Sequence, residues 1–501
     1  MAGPTLIELA DTAVTAQEPA CTSRYVPKLG GVDPLGLRQI NFDLMDMVLP
    51  GLNNVARHVR PFTVVAWAWR RAAICARDLG KVSVAVSDLQ DFVDRIEVIY
   101  VWSQFLRDPN VDLPGRDVLA PLVGAPDYLF GGEPWRRRRE IREYSTALSA
   151  PINYGPTLKA LGWLQPDSAR MGAMIAMPLT FEALTAFESQ IAAFLPHPAF
   201  FRFGEVRVTN AEARDWARAW ALDQPTPAEQ LAMAESLAGD AAQARRREGV
   251  KLVSAVVEHL GMGAGASAVR RTMCGAPTDF APVPARQVAA QAWRTLQVRQ
   301  AFRLSLEALL YWTLQRLDTG PMTTPALVDA FLNGSGDAPT AGQWLADAYE
   351  DGSGPADWVE RLEKSLSSAV DNTDLPTTIR SALAASFREA PDSPGTERED
   401  RLPLARAAQQ ARDWGDHTPK AFIIHVFDSW VFGQHVYWSV GRGLADARSQ
   451  GKTILRLKVV LEEGGWTLAP GASVAARTAP AATADRLETA LSLMREAGLS
   501  A

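Results

Sequence analysis

Apolar residues recur at helical spacing along most of this chain, and this periodicity restricts the possible folds more than any other feature. Over residues 37–48 the spacings place five apolar side chains on one helix face: Leu37, Ile40, Leu44, Met47 and Val48. Residues 285–317 repeat the pattern, with Phe302, Leu306, Leu309 and Leu310 on one stripe. The sequence therefore predicts a mainly α-helical protein.

The C-terminal part has a different pattern. Residues 421–440 are apolar and aromatic nearly all round, which predicts a buried helix. Apolar and basic residues then alternate from Thr453 to Leu461, and Gly464-Gly465 permits a hairpin turn before Trp466. We expect a small α+β unit that ends in a helix over residues 485–497.

A chain of 501 residues is long enough for about three domains at roughly 100–200 residues each. Breaks in the helical pattern predict a tail at 1–30, an N-terminal helical domain at 31–125, a winged-helix-like module at 136–200, a helical domain at 205–385, a linker at 386–402 and an α+β domain at 403–501. The predicted fold class is thus a multidomain helical protein with a winged-helix-like module and a small C-terminal α+β unit.

Composition and charge exclude several classes of protein. A hydrophobic content of 47% is too high for a disordered chain, and a net charge of −6 does not suit a basic nucleic-acid coat. The longest apolar run, Phe62 to Trp69, is far shorter than the roughly 20 residues that a membrane-spanning helix needs. The N-terminus lacks the basic and apolar regions of a secretion signal. We expect a cytoplasmic protein that does not bind membranes.

No common catalytic signature occurs in the sequence, and no cofactor is expected. The three cysteines, at positions 21, 75 and 274, form no C-x-x-C pair, which favours buried thiols in a reducing compartment. The weak catalytic candidates are His425, Asp428 and His435. On one straight helix His435 would lie nearly three turns from His425, too far to share an ion without a bend.

The region around residue 140 has the order helix, turn, helix, loop, helix, which is typical of a winged-helix unit. The helices are predicted over 140–149, 156–164 and 179–195, with a loop over 165–178. Basic side chains of this region are candidates for phosphate contacts with DNA: Arg136, Arg137, Arg138, Arg139, Arg142, Lys159 and Arg170. Winged helices also serve as protein-binding modules, and the sequence favours neither role.

A further pair of basic residues, Arg57 and Arg60, is three residues apart on a predicted helix that carries Val55 and Val59. Their shared face suits a phosphate or a carboxylate of a partner. An ordinary salt bridge within the protein is the other interpretation.

Several segments together resemble uncharacterised bacterial proteins with a "PLG … LPG … RxRx … W" signature. They are Pro34-Leu35-Gly36, Leu49-Pro50-Gly51, Arg57 to Phe62 with Trp67, Asn153-Tyr154-Gly155 with Leu161-Gly162, and Asp485 to Leu499. Those families tend to be encoded near phage-defence or DNA-modification genes. The pattern defines no catalytic residues.

The resemblance implies a non-catalytic component of a bacterial, DNA-linked anti-phage defence complex. Such a protein would act as a scaffold or as a DNA- or partner-binding subunit, together with a helicase or nuclease subunit and with double-stranded DNA as a candidate target. Two alternatives stay open. One is a metal-dependent nuclease or another enzyme whose active site lacks a motif, and the other is a transcriptional regulator.

Overall fold

The computed structural model describes residues 33–79, 84–115, 119, 124–133, 137, 148–150, 153–275, 280–350, 352–368, 374–392, 395, 397–441, 456–470 and 472–499. Its contacts divide the chain into two compact units, each built from two stretches of sequence. The first unit comprises residues 1–44 and 291–483, and the second comprises residues 45–290 and 484–501.

The described chain is mainly helical, as the sequence predicts. The elements from the N-terminus to residue 275 are α1 (Arg38–Val48), α2 (Val59–Asp78), α3 (Val86–Arg107), β1 (Asp127–Phe130), α4 (Gly155–Ala160), β2 (Leu164–Pro166), β3 (Met174–Ala176), α5 (Phe181–Gln190), β4 (Val206–Thr209), α6 (Asn210–Ala219), α7 (Pro227–Ala238), α8 (Ala244–Leu260) and α9 (Ala266–Gly275).

The remaining elements are α10 (Pro284–Leu317), α11 (Thr324–Ser335), α12 (Ala341–Ala346), α13 (Pro355–Ser367), α14 (Leu375–Arg388), α15 (Leu404–Asp413), α16 (Pro419–His425), a π-helix (Val426–Gly433), a helix over 434–441 that we call α17, β5 (Val459–Glu462), β6 (Gly465–Leu468) and α18 (Leu487–Glu496). The strands form three antiparallel pairs, β1 with β4, β2 with β3, and β5 with β6.

The core of the first unit is organised around α10. The predicted stripe is buried there, since Phe302, Leu306 and Leu309 are 0% exposed and Leu310 is 1% exposed. The ring of Phe302 lies 5.9 Å from that of Phe387 on α14 and 6.4 Å from that of Trp430 on the π-helix. Burial of such aromatic side chains is the main favourable contribution to the stability of this unit.

Helix caps in the second unit follow the sequence closely. Thr226 accepts a hydrogen bond from the backbone N–H of Glu229, and the Glu229 carboxylate accepts one from the Thr226 N–H, which completes a capping box. Thr226 thus caps the helix that begins at Pro227. Helix α2, in contrast, begins at Val59 and not before Val55 as the periodicity predicts.

The C-terminal part contains the predicted combination of helices and a two-stranded sheet, but its last helix, α18, belongs to the second unit and not to the unit of β5 and β6. Strands β5 and β6 pair with Glu462 opposite Gly465, so the turn lies at Glu463-Gly464. The apolar segment from 421 to 440 is helical, but it contains eight residues of π-helix, which rarely exceeds a single turn. Within the described residues no helix is both long enough and apolar enough to cross a bilayer.

Candidate functional site

The helix–hairpin–helix module, which we define as residues 153–190, consists of α4, the β2–β3 hairpin and α5. The hairpin occupies the stretch for which the sequence predicts a loop. Its strands have three residues each, too few for alternation to be visible, so that part of the prediction is wrong. Of the first helix of the predicted winged-helix unit, over residues 140–149, residues 140–147 lie outside the described part and residues 148–149 form a turn, so the winged-helix arrangement stays a prediction.

Buried side chains of the second unit hold this module in place. The Trp163 indole donates a hydrogen bond to Ser236 Oγ at 3.1 Å. The Arg246 guanidinium donates to the carbonyls of Pro50 and Ala160 at 3.0 and 3.3 Å, which fixes the C-terminal end of α4. Burial lowers the pKa of Arg246 to about 10, so this side chain remains cationic at neutral pH.

The described basic side chains proposed to contact DNA are few, and most are paired. Lys159 is exposed on α4 and forms no ion pair within the described part. Arg170 Nε lies 2.9 Å from Asp167 Oδ2 in the hairpin loop, where the Ala169 N–H and the Arg170 guanidinium lower the pKa of Asp167. Arg137 Nε lies 3.3 Å from Glu133 Oε1. The other candidates, Arg136, Arg138, Arg139 and Arg142, lie outside the described residues.

Large apolar side chains are exposed on the same module. Met171 in the hairpin loop is 95% exposed, Ile175 on β3 is 40% exposed, and Phe181 at the start of α5 is 44% exposed. Gln90 of α3 donates a hydrogen bond to the carbonyl of Gly172 at 3.0 Å, so the loop beside Met171 is tied to a long helix. The module therefore presents apolar groups from a fixed backbone.

The two arginines of the N-terminal signature have different surroundings. Arg60 is 0% exposed, and its guanidinium lies 3.2 Å from the buried carboxylate of Glu229. Arg57 precedes α2, so the prediction that the two share a helix face is wrong. The reason is a turn at Asn53, whose side chain accepts hydrogen bonds from the N–H groups of residues 55 and 56 and so competes with the helix. Arg57 Nη2 instead lies 3.3 Å from Glu488.

The carboxylate of Glu496, a residue that the sequence did not single out, caps the N-terminus of α2. Glu496 Oε2 accepts a hydrogen bond from the Val59 N–H at 2.7 Å, and Oε1 lies 2.6 Å from His58 Nδ1. The backbone N–H of His58 also donates to the buried hydroxyl of Tyr154 at 3.3 Å. Three separate segments of the signature thus meet at one point in the second unit. The lack of a capping residue before Val59 is the sequence signal that could have indicated a distant partner.

The three weak catalytic candidates are not brought together as a ligand set. The ring of His425 stacks on that of Trp414 at 5.1 Å, and burial lowers its pKa. Asp428 Oδ1 accepts a hydrogen bond from Thr324 Oγ1 at 3.0 Å. His435 is 0% exposed. Among the described residues no group of three or more His, Cys, Asp or Glu side chains converges as metal ligands would.

Both ring nitrogens of His435 are occupied by the backbone of the first unit. Nδ1–H donates to the carbonyl of Pro34 at 2.8 Å, and Nε2 accepts from the N–H of Lys458 at 2.8 Å. This pair of contacts requires the neutral ring, and burial lowers the pKa of His435 to about 4. His435 therefore has a structural role, because its ring joins two backbone segments.

His435 belongs to a larger arrangement that we call the carbonyl clamp. Four consecutive backbone carbonyls, those of residues 33–36, each accept a hydrogen bond from a side chain of residues 401–438. The donors are Trp438 to residue 33 at 2.9 Å, His435 to 34 at 2.8 Å, Gln434 to 35 at 2.9 Å and Arg401 to 36 at 2.6 Å. The "PLG" part of the signature is therefore a structural element of the first unit.

No family model, no curated protein and no solved structure matches the chain.

Proposed function

We propose that this protein is a non-catalytic scaffold subunit of a cytoplasmic, bacterial anti-phage defence assembly, and that it binds a protein partner through the helix–hairpin–helix module. The defence context is supported by the resemblance of the signature segments. The observation that carries the binding role is the exposure of Met171, Ile175 and Phe181 on one short module. The three residues lie within the eleven consecutive positions 171–181, and exposed apolar surface is typical of protein interaction sites.

A protein partner is favoured over DNA by the charges of the described part of the module. Non-specific DNA binding depends on cations that are free to neutralise phosphates. On this module Arg170 is paired with Asp167, and α4 offers Lys159 alone. The Arg70 guanidinium lies 5.2 Å over the Phe181 ring, an arrangement that leaves a mixed cationic and aromatic surface suited to a protein contact.

The partner would be a helicase or nuclease subunit of the same assembly. The test is co-expression of the two proteins and measurement of the complex by size-exclusion chromatography with light scattering. We expect Met171→Asp combined with Phe181→Asp to weaken the complex at least tenfold, because a buried unpaired carboxylate is costly. Met262→Asp is the matched control, since Met262 is 73% exposed but lies outside the module.

A parallel measurement distinguishes binding of DNA from binding of a protein partner. Retention of the purified protein on duplex DNA is measured at increasing salt, with Lys159→Ala and Arg170→Ala as variants. Two results together would show that the module binds DNA and not a protein. Retention would depend on salt and be abolished by both substitutions, and the protein complex would be insensitive to the Met171 and Phe181 changes.

A further inference from the structure

A cavity of about 280 Å³ lies in the first unit at α13 and α14, whereas the module described above belongs to the second unit. It is lined by Trp358, by four charged residues that include Lys364 and Asp374, and by five hydroxyl residues that include Ser368, Thr377 and Thr378. Its volume is near the lower end of the range for small-molecule sites. No residue of the lining belongs to the signature segments.

The charges of the lining balance one another. Arg361 Nη1 lies 2.6 Å from Glu350 Oε2, and Arg361 Nη2 donates to Ser353 Oγ at 3.1 Å, so this cation is committed to groups of the protein. Lys364 and Asp374 add one positive and one negative charge. An equal number of cations and carboxylates favours a neutral ligand over a strongly charged one.

The hydroxyl groups favour a ligand with many donors. Three of them already donate their protons to backbone carbonyls: Ser368 to Lys364 at 2.8 Å, Thr377 to Gly334 at 3.0 Å and Thr378 to Asp374 at 2.9 Å. Their oxygen lone pairs remain able to accept hydrogen bonds. Sugar hydroxyls both donate and accept, so they match this mixture of groups.

Trp358 supplies the complementary donor. Its side chain is 2% exposed, and its indole N–H has no acceptor within the described part of the chain. A buried donor without an acceptor in the protein can be satisfied by a bound molecule. A polyol oxygen in the cavity would provide an acceptor for this N–H after a small side-chain adjustment.

We infer that this cavity binds the ring of a monosaccharide-sized polyol, either a free sugar or the ribose of a nucleoside. Hydroxyls of the ligand donate to Ser368, Thr377 and Thr378, while the Trp358 indole and the Lys364 ammonium donate to its oxygens. The site is independent of the proposed partner surface.

The test is an NMR titration of the full-length protein labelled with ¹⁵N-tryptophan, in which the indole N–H signals are followed. D-ribose, D-glucose and adenosine are titrated separately, and Trp358→Phe assigns the relevant signal. We expect a saturable shift of the Trp358 signal with at least one of the three. The Trp344 indole is the internal reference, because it already donates to the Gly336 carbonyl at 2.8 Å and should not shift. Stronger binding of adenosine than of ribose would assign the sugar to a nucleoside.

Substitutions of a cavity cation test the contacts. Lys364→Met should weaken ribose binding about tenfold, the scale of a lost charged hydrogen bond. Lys420→Met is the control, because Lys420 pairs with Asp329 at 2.7 Å and does not line the cavity. If Trp358→Phe does not fold, Thr378→Val is the second variant, and it must weaken the binding that the shifting signal reports.

Three results would overturn the inference. The first is a Trp358 signal that shifts linearly and equally with glycerol, which would indicate only solvent in the cavity. The second is saturation by inorganic phosphate at concentrations below those of every sugar, which would indicate an anion site. The third is no shift of this signal with any of the three compounds.

Discussion

At the scale of single residues, the signature segments act through hydrogen bonds and not through exposed chemistry. The carbonyl clamp occupies both nitrogens of His435 and the guanidinium of Arg401, which also lies 3.9 Å over the Trp438 ring. Residues engaged in this way hold the backbone of the first unit. The positions of these residues in the sequence are therefore set by what the fold requires.

His435 should make the stability of the protein depend on acid. Its pKa is about 4 when folded against 6.5 for a free histidine, so the unfolded chain binds a proton more readily. The free energy of unfolding is then unaffected above pH 6.5 and falls by about 3 kcal/mol as the pH drops to 4. Urea unfolding at a series of pH values measures this loss. His435→Gln should flatten the slope, whereas His417→Gln, at an exposed site, should leave it unchanged; equal slopes in all three proteins would contradict the assignment.

Gly36 should tolerate no side chain. It has φ of +71°, and an added Cβ would lie 2.5 Å from Trp438 Cδ2, whose ring is held by the carbonyl clamp. We expect Gly36→Ala to lower the free energy of unfolding by about 2–4 kcal/mol, from backbone strain plus overpacking. Gly263→Ala has a similar φ of +88° with no atom near its Cβ, so its loss should be only about 1–2 kcal/mol. Similar losses in the two variants would mean that the ring contact is unimportant.

At the scale of elements, periodicity and capping residues predicted those features that depend only on residues close together in the sequence. The capping box at Thr226, the apolar stripe of α10 and the β5–β6 hairpin all follow from patterns within a few residues. The β2–β3 hairpin and the π-helix could not be predicted in this way. Their strands are too short to show alternation, and the π-helix follows from packing of the whole unit.

The stripe of α10 offers a direct test of its role in the core. Phe302→Ala should lower the free energy of unfolding by about 3–5 kcal/mol, because it leaves a cavity between α10, α14 and the π-helix. Val288→Ala, on the same helix and 67% exposed, should change it by less than about 0.5 kcal/mol. Chemical denaturation of both variants makes the comparison. A small effect at Phe302 would show that the stripe is not central to the core.

At the scale of the whole molecule, the two units are each assembled from distant parts of the sequence. A reading along the chain divides it into consecutive segments, because composition and periodicity are local properties. It has no means of assigning residues 484–501 to the unit that contains residues 45–290. Prediction of the candidate site from the sequence was limited for the same reason. The sequence shows that Met171 and Arg170 are present, but the exposure of Met171 and the pairing of Arg170 are properties of the folded chain.

The last 18 residues provide a test of this division. Deleting residues 484–501 removes Glu496, which caps α2 at 2.7 Å, and Asp485, whose carboxylate binds Arg270 at 2.6 and 3.0 Å. The deletion therefore removes the carboxylate that caps Val59 and the Asp485 carboxylate that binds Arg270, which destabilises the second unit. Hydrogen exchange should accelerate over residues 59–78 and 266–275 of the second unit while residues 297–317 of the first unit keep their protection. Glu496→Gln, which keeps the side-chain shape, should accelerate exchange only near residue 59. Faster exchange over residues 297–317 in the truncated protein would instead place the C-terminal segment with the first unit.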